Sequence, residues 1–398
     1  MVQFAKRMDY MKPMADIVKN LFHTGNVPGV IPFSIGSPAS EILPVDAVRE
    51  IASDVLTWDK RGVEALQYSS NIGLPDLRES IAKELLAPKG ITASPDQIAI
   101  VCGGLETMNL ICQVFINPGD VILVEDPTFV HCVEIFDMFE AKCIPIPMDD
   151  HGMDVEAAEA AIQTYHPKMI YTVPTFQNPT GRTLSKERRQ KLAALGSQYD
   201  VLILEDDPYR DLRYDGDELP LIKSFDTTGH TVLASSFSKI FSPGARLGYV
   251  YGTQEIIDKV VDAKTATNSH TSVLAQVLCA EFFKRGYFPA HLERVRQTYR
   301  KRRDTMMAAI DAYFPNGTTY TRPEGGLFLW PEVPGTIDTT ALLPEAIAHG
   351  VAFVAGAGFF VHGQGKGKNC MRLSYGNVTT EQIEKGIQIL GTVLQNHL

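Results

Sequence analysis

Short apolar runs recur along the first part of the chain, each followed by polar or small residues, at positions 97–101, 121–124, 169–173, 201–204, 231–234 and 247–251. Runs this short and rich in Val, Ile and Leu read as strands buried on both faces, and the segments between them carry helical spacing. The pattern predicts an α/β fold built on a parallel sheet covered by helices. A helix is expected over 185–199, where Ser185 can cap the first turn and Glu187 suits the helix dipole. The capping box is imperfect, because its third position holds Arg188.

Beyond about residue 290 the pattern changes. A long charged helix over 290–313 precedes Thr318 to Trp330, which reads as two strands around a glycine-containing turn. Two further helices flank Asn369 to Tyr375, giving a small α+β domain. The basic stretch Arg294 to Arg303 predicts a solvated helix face, with Val295 and Tyr299 at helical spacing inside it. Residues 362–369 alternate glycines without the strand-to-helix setting of a nucleotide fingerprint, so a mobile surface loop is expected.

With 398 residues and 44% hydrophobic content, the chain can bury a large core and divide into two domains. A net charge of -10 argues against nucleic acid as a partner. No signal-like segment is present, and no apolar run approaches the roughly 18 to 20 residues of a membrane span. A cytosolic location away from membrane is expected. Six cysteines without CxxC spacing read as reduced core thiols, and ten scattered histidines predict no catalytic metal.

The candidate chemistry begins at Ser235 to Tyr249, a loop of small residues holding Lys239 and, seven positions on, Arg246. A lysine amine can form a Schiff base with an aldehyde, while Ser236, Ser238, glycine backbone and the arginine fork can hold a phosphate. Upstream, Asn178-Pro179-Thr180-Gly181 follows one apolar run and Asp206-Asp207-Pro208-Tyr209 follows another. In open α/β sheets the ligand crevice lies at the carboxyl ends of the strands, which would gather Asn178, Asp206, Tyr209 and Lys239.

This set resembles the fold type I pyridoxal-phosphate aminotransferases of class I/II, in the branch of 2-aminoadipate and kynurenine aminotransferase-like enzymes. The resemblance runs from Gly36 to Arg372. It implies a large cofactor-binding domain over 45–289 and a small domain made of the arm 1–44 and residues 290–398. By resemblance, Lys239 is the Schiff-base lysine and proton carrier, Asp206 pairs with the pyridine nitrogen, and Asn178 and Tyr209 bond the cofactor phenolate. Asp206 is preferred to Asp207 because the family aspartate stands three residues before the tyrosine. Phe129 would stack on the ring.

Gly104 and Leu105 would offer backbone N–H groups to the phosphate at a helix start. Relatives often have Ser or Thr where this chain has Gly104. Arg372 is matched to the arginine that grips the substrate α-carboxylate, and Gly36 to a glycine whose backbone approaches it. Tyr68 is matched to a tyrosine reaching the partner's phosphate, which implies a homodimer with shared sites. The implied substrates are an L-amino acid of aromatic, branched-chain, methionine or 2-aminoadipate type and a 2-oxo acid, with 2-oxoglutarate expected. A β-lyase on the same fold would keep Lys239, Asp206 and Arg246. A cofactor-sensing transcriptional regulator would need a DNA-binding domain ahead of a pattern that already begins near residue 33.

Overall fold

The computed structural model describes residues 2–10, 27–335, 337–361, 363 and 365–398. All six apolar runs form strands of one eight-stranded sheet. β1 (Ile31–Pro32) lies outside it. The sheet comprises β2 (Ile98–Val101), β3 (Val121–Asp126), β4 (Lys142–Asp149), β5 (Gly152–Met153), β6 (Met169–Thr172), β7 (Leu202–Asp206), β8 (Thr231–Ser236) and β9 (Gly248–Tyr251). Their spatial order is β2-β9-β8-β7-β6-β3-β4-β5.

The sheet is mixed where a parallel one was expected. β4, β3, β6, β7 and β8 pair in parallel, but β9 runs antiparallel to both β8 and β2. The reason is the connection. Residues 237–247 contain turns and no helix, so the chain cannot cross the sheet and return in the same direction. β4 escaped the apolar pattern because Pro145 and Pro147 interrupt it, and these are tolerated beside the edge, where only the two-residue β5 follows.

Side chains alternate between the two faces of each strand. Leu123, Ile170 and Ile203 share one core with Val155 and Ile162 of α4 and Leu192 of α5. Ile122, Tyr171 and Leu204 face the other core, with Ile111 of α2 and Val277 of α7. Among the described residues ahead of residue 287, the longer helices are α1 (Val45–Val55), α2 (Gly104–Phe115), α3 (Val130–Met138), α4 (Val155–Tyr165), α5 (Lys186–Tyr199), α6 (Gln254–Thr267) and α7 (Val273–Lys284). Ser185 caps α5 as predicted, accepting from the Arg188 N–H, and Arg188 itself reaches across to Asp149.

α8 (Tyr287–Tyr313) is the long charged helix; Arg294, Arg300 and Lys301 are exposed as a solvated face requires, and two of its basic residues depart from that expectation. Arg302 and Arg303 are buried. Arg302 donates to the Gly376 carbonyl at 2.6 Å and pairs with Glu41. Arg303 donates to the Pro323 carbonyl at 3.0 Å, pairs with Asp215 and lies 5.3 Å over the Tyr214 ring. Long cationic side chains can bury their stems and spend their N–H groups on loop carbonyls, and a charge count along one helix does not reveal the loops packed against it.

Thr318 to Trp330 is not a hairpin, contrary to expectation. β10 (Thr319–Tyr320) pairs with β12 (Pro331–Glu332), whereas β11 (Phe328–Leu329) pairs with β15 (Met371–Ser374). The intervening turn is drawn instead to the large sheet's loops. Tyr214 N–H donates to the Glu324 carbonyl at 2.7 Å, and Gly326 N–H to the Leu212 carbonyl at 2.9 Å. Any Cβ at Gly325 would collide with the Leu212 carbonyl and the Phe176 ring, so this approach demands glycine.

The arm joins the C-terminal elements. β1 pairs with β13 (Val351–Ala352), and Phe33 accepts from the Ser374 N–H. β14 (Val354–Ala355) pairs with β15, beside α9 (Thr339–Ala348) and α10 (Thr380–Gln395). In the glycine-rich loop, His362 and Gln364 lie outside the described residues, while Lys366 forms a 2.7 Å ion pair with Asp126.

Arg303→Ala leaves the Pro323 carbonyl without this donor and Asp215 without this partner. It should lower the unfolding free energy by about 2 kcal/mol. Urea denaturation followed by fluorescence checks this, and a change within a few tenths would contradict the buried-tie reading.

Candidate active site

The carboxyl ends of β6, β7 and β8 bring the predicted residues to one side of the sheet. Asn178 lies in the turn after β6, Asp206 ends β7, Tyr209 follows it, and Lys239 sits in the loop after β8. Gly36, Phe129, Asn178, Tyr209, Lys239 and Arg372 line one cavity of about 220 Å³. A larger groove of about 420 Å³, beside Pro44 and Arg294, lies away from all of them.

Arg372, from β15, is a buried guanidinium that lines the cavity. It donates to Asn178 Oδ1 at 2.9 Å and to the Ser34 carbonyl at 2.8 Å. Its guanidinium lies 4.5 Å from the Phe328 ring centre and 5.2 Å from that of Phe359. Both rings lie within cation–π range of the guanidinium, and among the described residues its buried Nε has no hydrogen-bond partner. Burial holds Arg372 down at about 10, and among the described residues no carboxylate lines the cavity to offset its charge.

Lys239 Nζ donates to the Gly36 carbonyl at 2.9 Å. Burial, then the charges of Arg372 and Arg246, push it down to about 8. A neutral amine is therefore within reach near physiological pH, which nucleophilic use requires. The sequence reading anticipated burial and Arg246 but not the Arg372 contribution.

Asp206, the last residue of β7, and Asp207 just beyond it have different partners. Asp207 is engaged by Arg210 in a buried pair. Asp206 accepts a 2.9 Å hydrogen bond from Tyr171, whose oxygen in turn accepts from the Cys132 thiol at 3.0 Å. Burial raises Asp206 to about 7, and the Tyr171 bond opposes that rise. Tyr171 was not predicted, since a tyrosine inside an apolar run reads as core. Glu125, also unpredicted, accepts from Gln177 at 3.1 Å and from Thr172 at 2.5 Å, and Gln177 donates to the Pro127 carbonyl. These bonds tie the Asn178 turn to the loop that carries Phe129.

A second cluster lies beside the cavity. α2 begins at Gly104, one residue before the expected start, with Gly103 as its cap at φ 80°. Arg246 donates to the Cys102 carbonyl at 3.1 Å, and Ser236 and Ser238 hydroxyls sit 3.0 Å apart. A Cβ at Gly103 would lie 2.7 Å from Arg246, whereas one at Gly104 would meet nothing within 4 Å. The open space before Gly104 and Leu105, with Arg246 alongside, suits a phosphate. Tyr68 stands apart, 85% exposed, with its ring edge-on to His270 at 5.6 Å.

The sequence profile of the family "Aminotransferase class I and II" matches residues 28–390. The chain belongs to this family. It is 37% identical over 389 residues to aromatic-amino-acid aminotransferase 1 of Thermococcus litoralis, covering 96% of this chain and 92% of that one. With the 2-aminoadipate transaminase of Thermus thermophilus it shares 33% identity over 387 residues, covering 96% and 95%. The structure of Pyrococcus horikoshii kynurenine aminotransferase superposes with a TM-score of 0.94 at 37% identity, covering 99% and 97%. The chain is thus a pyridoxal-phosphate-dependent aminotransferase with the fold type I architecture. The lyase alternative is not favoured.

The residues fit the cofactor: a low-pKa amine, a buried carboxylate and a basic pocket before a helix start occur together. Because Arg372 helps hold Lys239 down, Arg372→Ala should raise the pH midpoint for covalent capture of pyridoxal phosphate above about 8. Capture rates across pH, read by borohydride trapping and mass spectrometry, check the sign. A midpoint that stays put or falls contradicts it.

Proposed function

We propose that this aminotransferase carries an amino group from an L-amino acid of aromatic, branched-chain, methionine or 2-aminoadipate type to 2-oxoglutarate, by ping-pong turnover at one site. The observation that carries this reading is Arg372, set against two phenylalanine rings and lining the cavity that Lys239 also lines. A guanidinium fork takes a carboxylate in two parallel bonds. Donor and acceptor both bear one beside the reacting carbon, so the same grip serves both half-reactions. The apolar walls formed by Phe129, Val130 and Phe359 suit an apolar side chain.

Bound pyridoxal phosphate supplies the aldehyde that takes up the amino group and a ring that withdraws electrons from the α-carbon. The protein's residues then have separate tasks. Arg372 fixes the substrate carboxylate and, with it, the direction of the α-hydrogen. Lys239 Nζ, neutral above about pH 8, removes the α-proton and returns it one position along. Asp206, steadied by Tyr171, provides a negative partner for the ring nitrogen. Asn178 and Tyr209 bond the phenolate oxygen, and Phe129 covers the ring. Gly104, Leu105, Ser236, Ser238 and Arg246 hold the phosphate.

The exposed Tyr68 supports a homodimer in which it reaches the neighbouring phosphate. We also propose that the arm 1–44 and residues 290–398 form the small domain around residues 45–289. The pairing of β1 with β13 supports this division. Among the described residues no helix is long and apolar enough to cross a membrane, and we propose a cytosolic location.

Arg372→Ala removes a buried charge partner worth about 3 kcal/mol, so kcat/KM should fall about a hundredfold for donor and acceptor alike. A loss confined to one half-reaction would refute the shared grip. Lys239→Ala should abolish the borohydride-trapped cofactor adduct. Mixing it with an impaired Tyr68→Ala chain should restore part of the activity through heterodimers with one intact site. No recovery after verified subunit exchange would count against the shared dimer.

A further inference from the structure

Cys102, the residue before the cap of α2, is held through both of its backbone groups. Its carbonyl accepts from Arg246 at 3.1 Å, and its N–H donates to Glu106, an acid in the first turn of α2. Gly103, the cap, has no side chain to offer, so Glu106 takes over part of the capping task by reaching back past it. The same carboxylate accepts from Lys264 Nζ at 3.3 Å and from the Asn268 amide. Lys264 also donates to Asn268 Oδ1 at 2.8 Å, and its side chain is wholly buried. Lys264 lies in the last turn of α6 and Asn268 caps that helix, so the head of α2 meets the tail of α6 through one carboxylate. Each charge sits at the helix end that favours it, the acid at an amino end and the cation at a carboxyl end. Desolvation pulls the Lys264 amine down from its ordinary value, and the Glu106 charge and hydrogen bond oppose that fall.

We propose that Lys264 is a positioning residue for cofactor binding: it neutralises Glu106, so that an acid can brace the head of α2 without repelling the phosphate held there. This rests on the reading that Gly104, Leu105 and Arg246 hold the phosphate. A carboxylate within the first turn of an anion-binding helix sets two effects against each other. Its hydrogen bond to the Cys102 N–H orders the loop, whereas its charge cancels part of the attraction that the helix start and Arg246 exert on a dianion. Lys264 offsets that charge from a wholly buried position, which leaves the exposed Arg246 as the cation open to the phosphate. A buried ion pair adds little to stability by itself, since desolvation offsets its attraction. Its role here is electrical: the loop keeps the hydrogen bond of the acid and is relieved of its charge.

The test compares pyridoxal phosphate with pyridoxal, which lacks the phosphate, as ligands of the full-length chain freed of cofactor; the ratio of the two Kd values isolates the phosphate. Lys264→Met should raise the Kd for pyridoxal phosphate about tenfold and leave that for pyridoxal within about twofold. Glu106→Gln keeps an oxygen for the Cys102 N–H and removes the charge, so adding it to Lys264→Met should bring the ratio back to within about threefold of the wild type. An unchanged ratio in Lys264→Met overturns the proposal, as does an equal loss for both ligands or a double variant no better than the single one. If Lys264→Met fails to fold by circular dichroism, Lys264→Gln decides by the same ratio. Arg246→Ala judges the phosphate reading separately. An unchanged ratio there sinks the site assignment, whereas a raised ratio there beside an unchanged one in Lys264→Met sinks only the part given to Lys264.

Discussion

Arg372 and Lys239 share a cavity that, among the described residues, no carboxylate lines, and the site is organised around that fact. Desolvating Arg372 and Lys239 together disfavours charge on both, yet the guanidinium resists deprotonation far more than the amine. The outcome is asymmetric: Arg372 stays charged while Lys239 is driven towards neutrality. On the proposed reading the guanidinium holds the anion and the amine acts as the base, because burial first and the charge of Arg372 second bear on Lys239. The aromatic clamp of Phe328 and Phe359 and the bonds to Asn178 and Ser34 hold the guanidinium there without neutralising it. An acidic partner in their place would satisfy Arg372 and close the grip to substrate.

The reversal of one strand produces the rest of the geometry. Because β8 returns as β9 through a compact loop, Lys239 and Arg246 emerge between neighbouring strands, and Arg246 reaches the Cys102 carbonyl at the end of β2. The head of α2 is therefore brought to the same loop as the reactive lysine. A helical crossover at this point would have carried Arg246 to the other edge of its strand. The mixed sheet is a requirement of the site as much as of the fold.

Much of this was legible in the sequence, because strand-end motifs obey a simple positional rule. Asn178, Asp206, Tyr209 and Lys239 follow apolar runs, so the sheet alone gathers them. What stayed hidden depends on partners remote in sequence. Arg302 and Arg303 looked solvated until the loops at Gly376 and Pro323 were seen to supply carbonyls. Tyr171 and Glu125 read as strand residues, and only the packed sheet shows one bonded to Asp206 and the other bracing the Asn178 turn.

The buried acids complete the electrical account. Glu125, Glu205 and Asp206 are each raised to about 7, chiefly by desolvation. Their ordinary values are 4.5, 4.5 and 3.8, so between roughly pH 4 and 7 the folded chain holds protons that the unfolded chain has released. The stability they contribute is full below that window and is lost as pH rises through it. On the proposed reading Asp206 differs from the other two in being the partner of a protonated ring nitrogen. A cationic partner there favours the carboxylate and lowers its pKa, so the charge that destabilises the fold becomes the charge that holds the cofactor. Glu125 and Glu205 instead accept backbone and side-chain N–H groups, from Val173 and Gln177 and from Ile222 and Lys223. The strain of burying an acid is thus turned to binding at one strand end and to loop positioning at its neighbours.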